Sequence, residues 1–124
     1  MSSQAEAINF VEGKPFSDGY VAGSTLYIAG QQGPDRDGDL ADTDIKLQTT
    51  NAIANVKKIV EEAGFRMSDI VSVTVYFTEL SDVPEMNAIY KDLIPDPKPA
   101  RAAVQVAGLI GGAKVEVSAI AVRR

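Results

Sequence analysis

The chain has 124 residues, with 12 basic and 17 acidic side chains, a formal net charge of −5, 45% hydrophobic and 23% charged residues; this is the make-up of one folded domain with a core, not of a disordered chain. It has no cysteine and no histidine, so disulfides, thiol nucleophiles and imidazole general bases are excluded, and a structural zinc site is nearly excluded because only carboxylates remain. The acidic balance argues against nucleic-acid binding, and no stretch approaches transmembrane length or reads as a basic-then-apolar leader, so the expected location is the cytoplasm.

Residues 1–19 are broken by Gly13, Pro15 and Gly19 and predict a short irregular strand followed by a loop. In YVAGSTLYIAG, two short apolar runs flank Gly23-Ser24, which predicts two strands joined by a tight turn. GPDRDGDLADTD reads as an exposed loop; its carboxylates lack the spacing and closing glutamate of a calcium loop. The rhythm then changes. Ile45, Thr49, Ala52, Val56, Ile59, Val60 and Ala63 recur three or four apart, which is the apolar face of a helix, with Asp42 or Asp44 as its cap and Gly64 as its C′ residue.

In DIVSVTVYFT the period is two: Val71, Val73, Val75 and Phe77 predict one face of a strand packed on that helix. SDVPEMNAIYKDLI predicts a second, shorter helix with Asp82 and Glu85 close to a capping box and with Met86, Ile89, Tyr90 and Leu93 as its packing face. Pro95, Pro97 and Pro99 end it. A strand over 100–107 sets Arg101, Ala103 and Gln105 on one side and Ala102, Val104 and Val106 on the other. After a turn at Gly111-Gly112, a last strand places Glu116 opposite Val115 and Val117. The order predicts one α+β domain, a mixed β-sheet with two helices on one face. Two helices cannot cover both faces, and the partly apolar remainder predicts a homo-oligomer.

Arg101 is the leading candidate for chemistry. A guanidinium in a strand-like run either points to water, pairs with Glu116, or clamps a small carboxylate with its two-pronged donor edge. Glu116 is either that structural partner or a group that positions water and moves a proton. Asn87 is a polar residue on the helix surface, or it hydrogen-bonds a bound acid or a loop. Gly30 is a turn residue or a place where a ligand approaches the backbone, and Phe16 is core or pocket wall.

The segments PARAAVQVAGL and KVEVSAIAV, with GSTLYIAGQQG, NAIANVKKIVEEAG, DIVSVTVYFTELSDVPEMNAIY and the ending AIAVRR, resemble the Rid family, also called the L-PSP or endoribonuclease-like family. The resemblance implies a single Rid-like domain over residues 1–124, with a chorismate-mutase-like fold and a homotrimer with clefts between subunits. It also implies hydrolysis of reactive 2-imino and enamino acids, 2-iminopropionate and 2-iminobutyrate, to 2-oxo acids and ammonia without cofactor or metal. On the same resemblance Arg101 grips the substrate carboxylate, Glu116 holds the attacking water, and Asn87, Gly30 and the backbone amide of Ala103 line the cleft. Phe16 and Ala29 stand where the best-known deaminases of the family carry tyrosine and serine hydroxyls, and Ala103 where they carry cysteine. That leaves three alternatives open: a non-enzymatic carboxylate-binding regulatory trimer, a deaminase for another imine or enamine such as an aminomuconate-like compound, and a ribonuclease.

Overall fold

The computed structural model describes residues 5–124. Strands β1 (Ala5–Ile8), β2 (Gly19–Ala22) and β3 (Thr25–Gln31) run as an antiparallel meander. They are followed by helix α1 (Ile45–Glu62), strand β4 (Ile70–Phe77), helix α2 (Val83–Leu93) and strands β5 (Ala100–Gln105) and β6 (Val115–Val122). The six strands form one sheet in the order β1-β2-β3-β6-β4-β5. β4 and β5 are parallel and every other pair is antiparallel, so the sheet is mixed. A parallel pair needs a crossover, and α2 supplies it.

Both helices lie on one face of the sheet, where Leu26, Ile28, Val73, Val75, Phe77, Val115 and Val117 meet Ala52, Ile53, Val56 and Val60 of α1 and Met86 and Tyr90 of α2. The predicted ends of α1 form as the residue types dictate. Asp44 Oδ1 accepts from Leu47 N at 2.8 Å, and Gly64 adopts a φ of 79° just past the helix. The tight turn between β2 and β3 uses Gly23 at φ 62°.

Four expectations are corrected. Val71 is exposed, and Ile70 takes its place in the core, because the pairing with β6 slips between Ile70 and Ser72. The bulge spends one residue and reverses the alternation there. Asp82 makes no side-chain cap: a 3₁₀ turn over Leu80–Asp82 feeds α2 directly and holds Asp82 in a helical conformation, so the capping box does not form. Leu93 is exposed and Ile94 buried, because the chain turns extended at Ile94 and swings that side chain inward. The strand predicted over 100–107 ends at Gln105.

The loop between β3 and α1 is pinned by polar side chains of the helix. Gln48 is fully buried; its amide nitrogen donates to the carbonyls of Leu40 (2.6 Å) and Thr43 (2.8 Å), and its oxygen accepts from Lys114 N at 2.9 Å. Asn51 donates to Pro34 O at 3.0 Å and Asn55 to Gln32 O at 2.9 Å. A Cβ on residue 33 would overlap the Gln48 carbonyl oxygen and come within 2.6 Å of Ala52 N, so only glycine lets the loop lie this close to the helix. Asp35 is spent inside the loop, accepting from the backbone N–H groups of Asp37 and Asp39 at 2.9 Å each.

Candidate active site

Glu116 sits on β6 facing away from the helices, opposite Tyr76 of β4. Together with Phe16, Ala29, Gly30, Gln32, Lys14 and Ile110 it lines an open cleft of about 490 Å³. Gly30 lies inside β3 and not in a turn. Its role is clearance: a Cβ there would overlap Oε2 of Glu116 and stand 2.8 Å from its Cδ. The other carboxylate oxygen, Oε1, accepts a hydrogen bond from Gln32 Nε2 at 3.0 Å. Phe16 is more than half exposed, with the Lys14 ammonium 4.9 Å from its ring centroid, so it is cleft wall and not core. Lys14 also pairs with Asp18 at 3.3 Å.

Arg101 lies elsewhere. It is on the edge strand β5, in register with Val73, and faces the helix side of the sheet. Its guanidinium carbon is 4.8 Å from the Tyr90 ring centroid, and Nη1 points at Met86 Sδ at 3.9 Å. A thioether is a weak acceptor, and among the described residues no carboxylate pairs with this half-buried charge. Burial pushes the Tyr90 hydroxyl above its ordinary value, and the neighbouring Arg101 charge opposes that shift. Among the described residues that hydroxyl has no hydrogen-bond partner. The segment leading to Arg101 is fastened: Lys98 Nζ donates to the Lys91 and Ile94 carbonyls at the end of α2 and pairs with Asp96 at 3.2 Å.

Val106 N donates to Phe77 O at 2.8 Å. The two-residue alternation of a strand then aims the N–H groups of Ala102 and Val104 at β4, and those of Arg101 and Ala103 at the open edge. Asn87 is exposed on α2, next to Met86. The predicted residues therefore fall into two groups. Phe16, Ala29, Gly30 and Glu116 share the cleft; Arg101, Ala103 and Asn87 share the β5–α2 edge. The structural pair between Arg101 and Glu116 does not exist within the chain. β4 lies between their strands, their positions are three residues out of register along it, and their side chains leave opposite faces, so their backbones are roughly 14 Å apart from strand spacing and rise.

Gln32, which sequence reasoning passed over, joins Glu116 to the loop. The signal was its place two residues after Gly30, but the preceding Gln31 turns its amide back to Ala29 O at 2.9 Å. Among the described residues no group of histidine, cysteine or carboxylate side chains could hold a metal ion, and no helix is long and apolar enough to cross a membrane.

Comparison with known proteins sets this geometry in a lineage. The family model for endoribonuclease L-PSP matches residues 8–123. A RutC family protein of Pyrococcus horikoshii is 40% identical over 108 residues, 86% of each chain. The 2-iminobutanoate/2-iminopropanoate deaminase of Salmonella typhimurium is 37% identical over 113 residues, 89% of this chain and 88% of that one. The crystal structure of RidA from an Antarctic Psychrobacter matches with a TM-score of 0.82 at 36% identity, covering 91% of this chain and 92% of that one. With nearly the whole chain matched in both sequence and backbone, it belongs to the L-PSP endoribonuclease-like family, the Rid family.

Proposed function

We propose that the chain hydrolyses small 2-imino and enamino acids, with 2-iminopropionate and 2-iminobutyrate as the first candidates, to 2-oxo acids and ammonia. The observation that carries this reading is the state of Arg101: a guanidinium held in place by an aromatic ring and a thioether, with its charge unmatched and its strand edge open. Such a group is a ready receptor for a carboxylate. The deaminase relatives at 35–37% identity favour the imino acid as the owner of that carboxylate.

Glu116 supplies the proton chemistry. A water oxygen adds to the imine carbon, the π pair of the C=N bond moves to nitrogen, and Glu116 takes one water proton. Glu116 returns that proton to the nitrogen of the carbinolamine formed from the protonated imine; the C–N bond breaks with its electron pair leaving on ammonia, the C=O bond forms from the hydroxyl oxygen, and the hydroxyl proton passes back to the Glu116 carboxylate. These imines hydrolyse unaided, so orientation and a well-placed base are sufficient help. The separation of Arg101 from Glu116 is resolved when the β5 edge of one copy closes the Glu116 cleft of the next. The uncovered sheet face, carrying Tyr20, Tyr27 and Ile120 in one cross-strand row, supplies apolar surface for that packing. A closed ring of three copies with a chorismate-mutase-like arrangement is the assembly we assign.

The test is a coupled assay. A dehydratase generates each imine, and 2-oxo acid release is followed with and without this protein. Acceleration is the expected result; equilibrium binding of 2-oxo acids with no acceleration would make the chain a binder and not an enzyme.

A further inference from the structure

We infer that Gln32 is the positioning residue for Glu116: it fixes one carboxylate oxygen and leaves the other as the proton acceptor. The inference rests on the reading of Glu116 as the base in the proposed hydrolysis. Gln32 Nε2 lies 3.0 Å from Glu116 Oε1 and 3.0 Å from the Ile110 carbonyl oxygen. Both neighbours only accept, so the amide must present its nitrogen here, and both of its N–H bonds are used. The two carboxylate oxygens become inequivalent. Oε1 is engaged by the amide, while Oε2 overlies the bare backbone of Gly30, where a side chain would exclude it.

The amide is itself held. Asn55 of α1 donates to the Gln32 carbonyl, and the next residue, Gly33, lies against the α1 backbone with no room for a Cβ. The Gln32 side chain thus starts from a backbone fastened to a long helix and ends between the turn before β6 and the carboxylate on β6. A base supported in this way keeps its geometry without reorganising during the reaction. Because Gln32 meets Glu116 and not the substrate carboxylate, its removal separates turnover from binding.

Gln32→Met has nearly the same length and no donor. It is expected to lower kcat for 2-iminobutyrate about tenfold, the scale of one hydrogen bond to a charged group. The affinity for 2-oxobutyrate and the melting temperature should stay close to those of the parent. Gln32→Glu, which sets a second carboxylate against the first, should lower kcat further. An unchanged kcat in folded Gln32→Met, or a loss of kcat matched by equal losses of 2-oxobutyrate affinity and thermal stability, would overturn the role. A second readout needs no turnover. In ¹⁵N-labelled protein the Gln32 side-chain amide resonances, identified by their disappearance in Gln32→Met, should move on Glu116→Gln more than any other side-chain amide pair. If they stay in place, the contact is absent and the inference fails. A parent protein without turnover whose Gln32 resonances do respond would instead overturn the hydrolase reading and keep the contact.

Discussion

Gly30 and Glu116 compete for one volume: the carboxylate on β6 occupies the space in which any side chain on β3 at position 30 would stand. Gly30→Ala should therefore fold and yet displace the carboxylate. A shift of about 1 Å in a reacting group costs about 10²-fold in rate. That loss should appear in kcat for imine hydrolysis, with 2-oxo acid affinity retained. A parent-like kcat would show that Glu116 need not stay where it is.

Arg101→Ala should abolish measurable acceleration of imine hydrolysis and weaken 2-oxobutyrate binding by about 10²-fold, the loss of two charge-assisted hydrogen bonds. Arg101→Lys should recover only part of either, since an ammonium keeps the charge without the planar fork. The apolar row of Tyr20, Tyr27 and Ile120 that supplies the packing surface is untouched by either substitution, so the elution volume on gel filtration should not change. Isothermal titration and the coupled assay read the two effects separately.

Mixing Arg101→Ala with Glu116→Ala protein, after dissociation and reassembly, should restore activity that neither variant has alone. A cleft that takes its guanidinium from one copy and its carboxylate from another regains some intact sites in mixed assemblies. No recovery in verified mixed assemblies would exclude a shared cleft.

Tyr90→Phe keeps the ring under Arg101 and removes a hydroxyl that is buried without a partner. The raised Tyr90 pKa has a definite sign: the folded state holds the proton after the unfolded state has released it. The associated stability is complete below the ordinary tyrosine value and is lost as pH rises through the folded one. Urea melts of the parent should therefore show an alkaline decline that is shallower in Tyr90→Phe. Stability at pH 7 should be equal or higher in the variant, because a polar group without a partner is removed.

Gln48→Leu leaves the Leu40 and Thr43 carbonyls and the Lys114 N–H without their amide partner in a buried site. The expected loss is about 3 kcal/mol by chemical denaturation. A loss within about 0.5 kcal/mol, the size of an ordinary surface change, would mean that the loop finds other partners.

What the sequence makes legible follows from what a short-range pattern can encode. α1 is readable end to end because Ile45, Ala52, Val56, Ile59 and Val60 share one face and Asp44 and Gly64 mark its limits. Gln48 lies on that same face, but its polarity hides its burial, and its partners come from residues up to 66 positions away. Val71 misleads because a bulge is a property of two strands together. Alternation places Glu116 and Arg101 correctly on their own strands. It is silent on β4 lying between those strands, and therefore on whether the two side chains meet. Gly30 shows as a glycine; the reason for it lies 86 residues downstream.

The opposed placement of Arg101 and Glu116 has a consequence for how the activity is carried in solution. On the shared-cleft reading an isolated chain holds two half-centres and no working one, so rate per milligram should fall on dilution, before any unfolding is detectable. A copy that lost both groups would silence the two clefts it borders and leave working the one between its healthy neighbours.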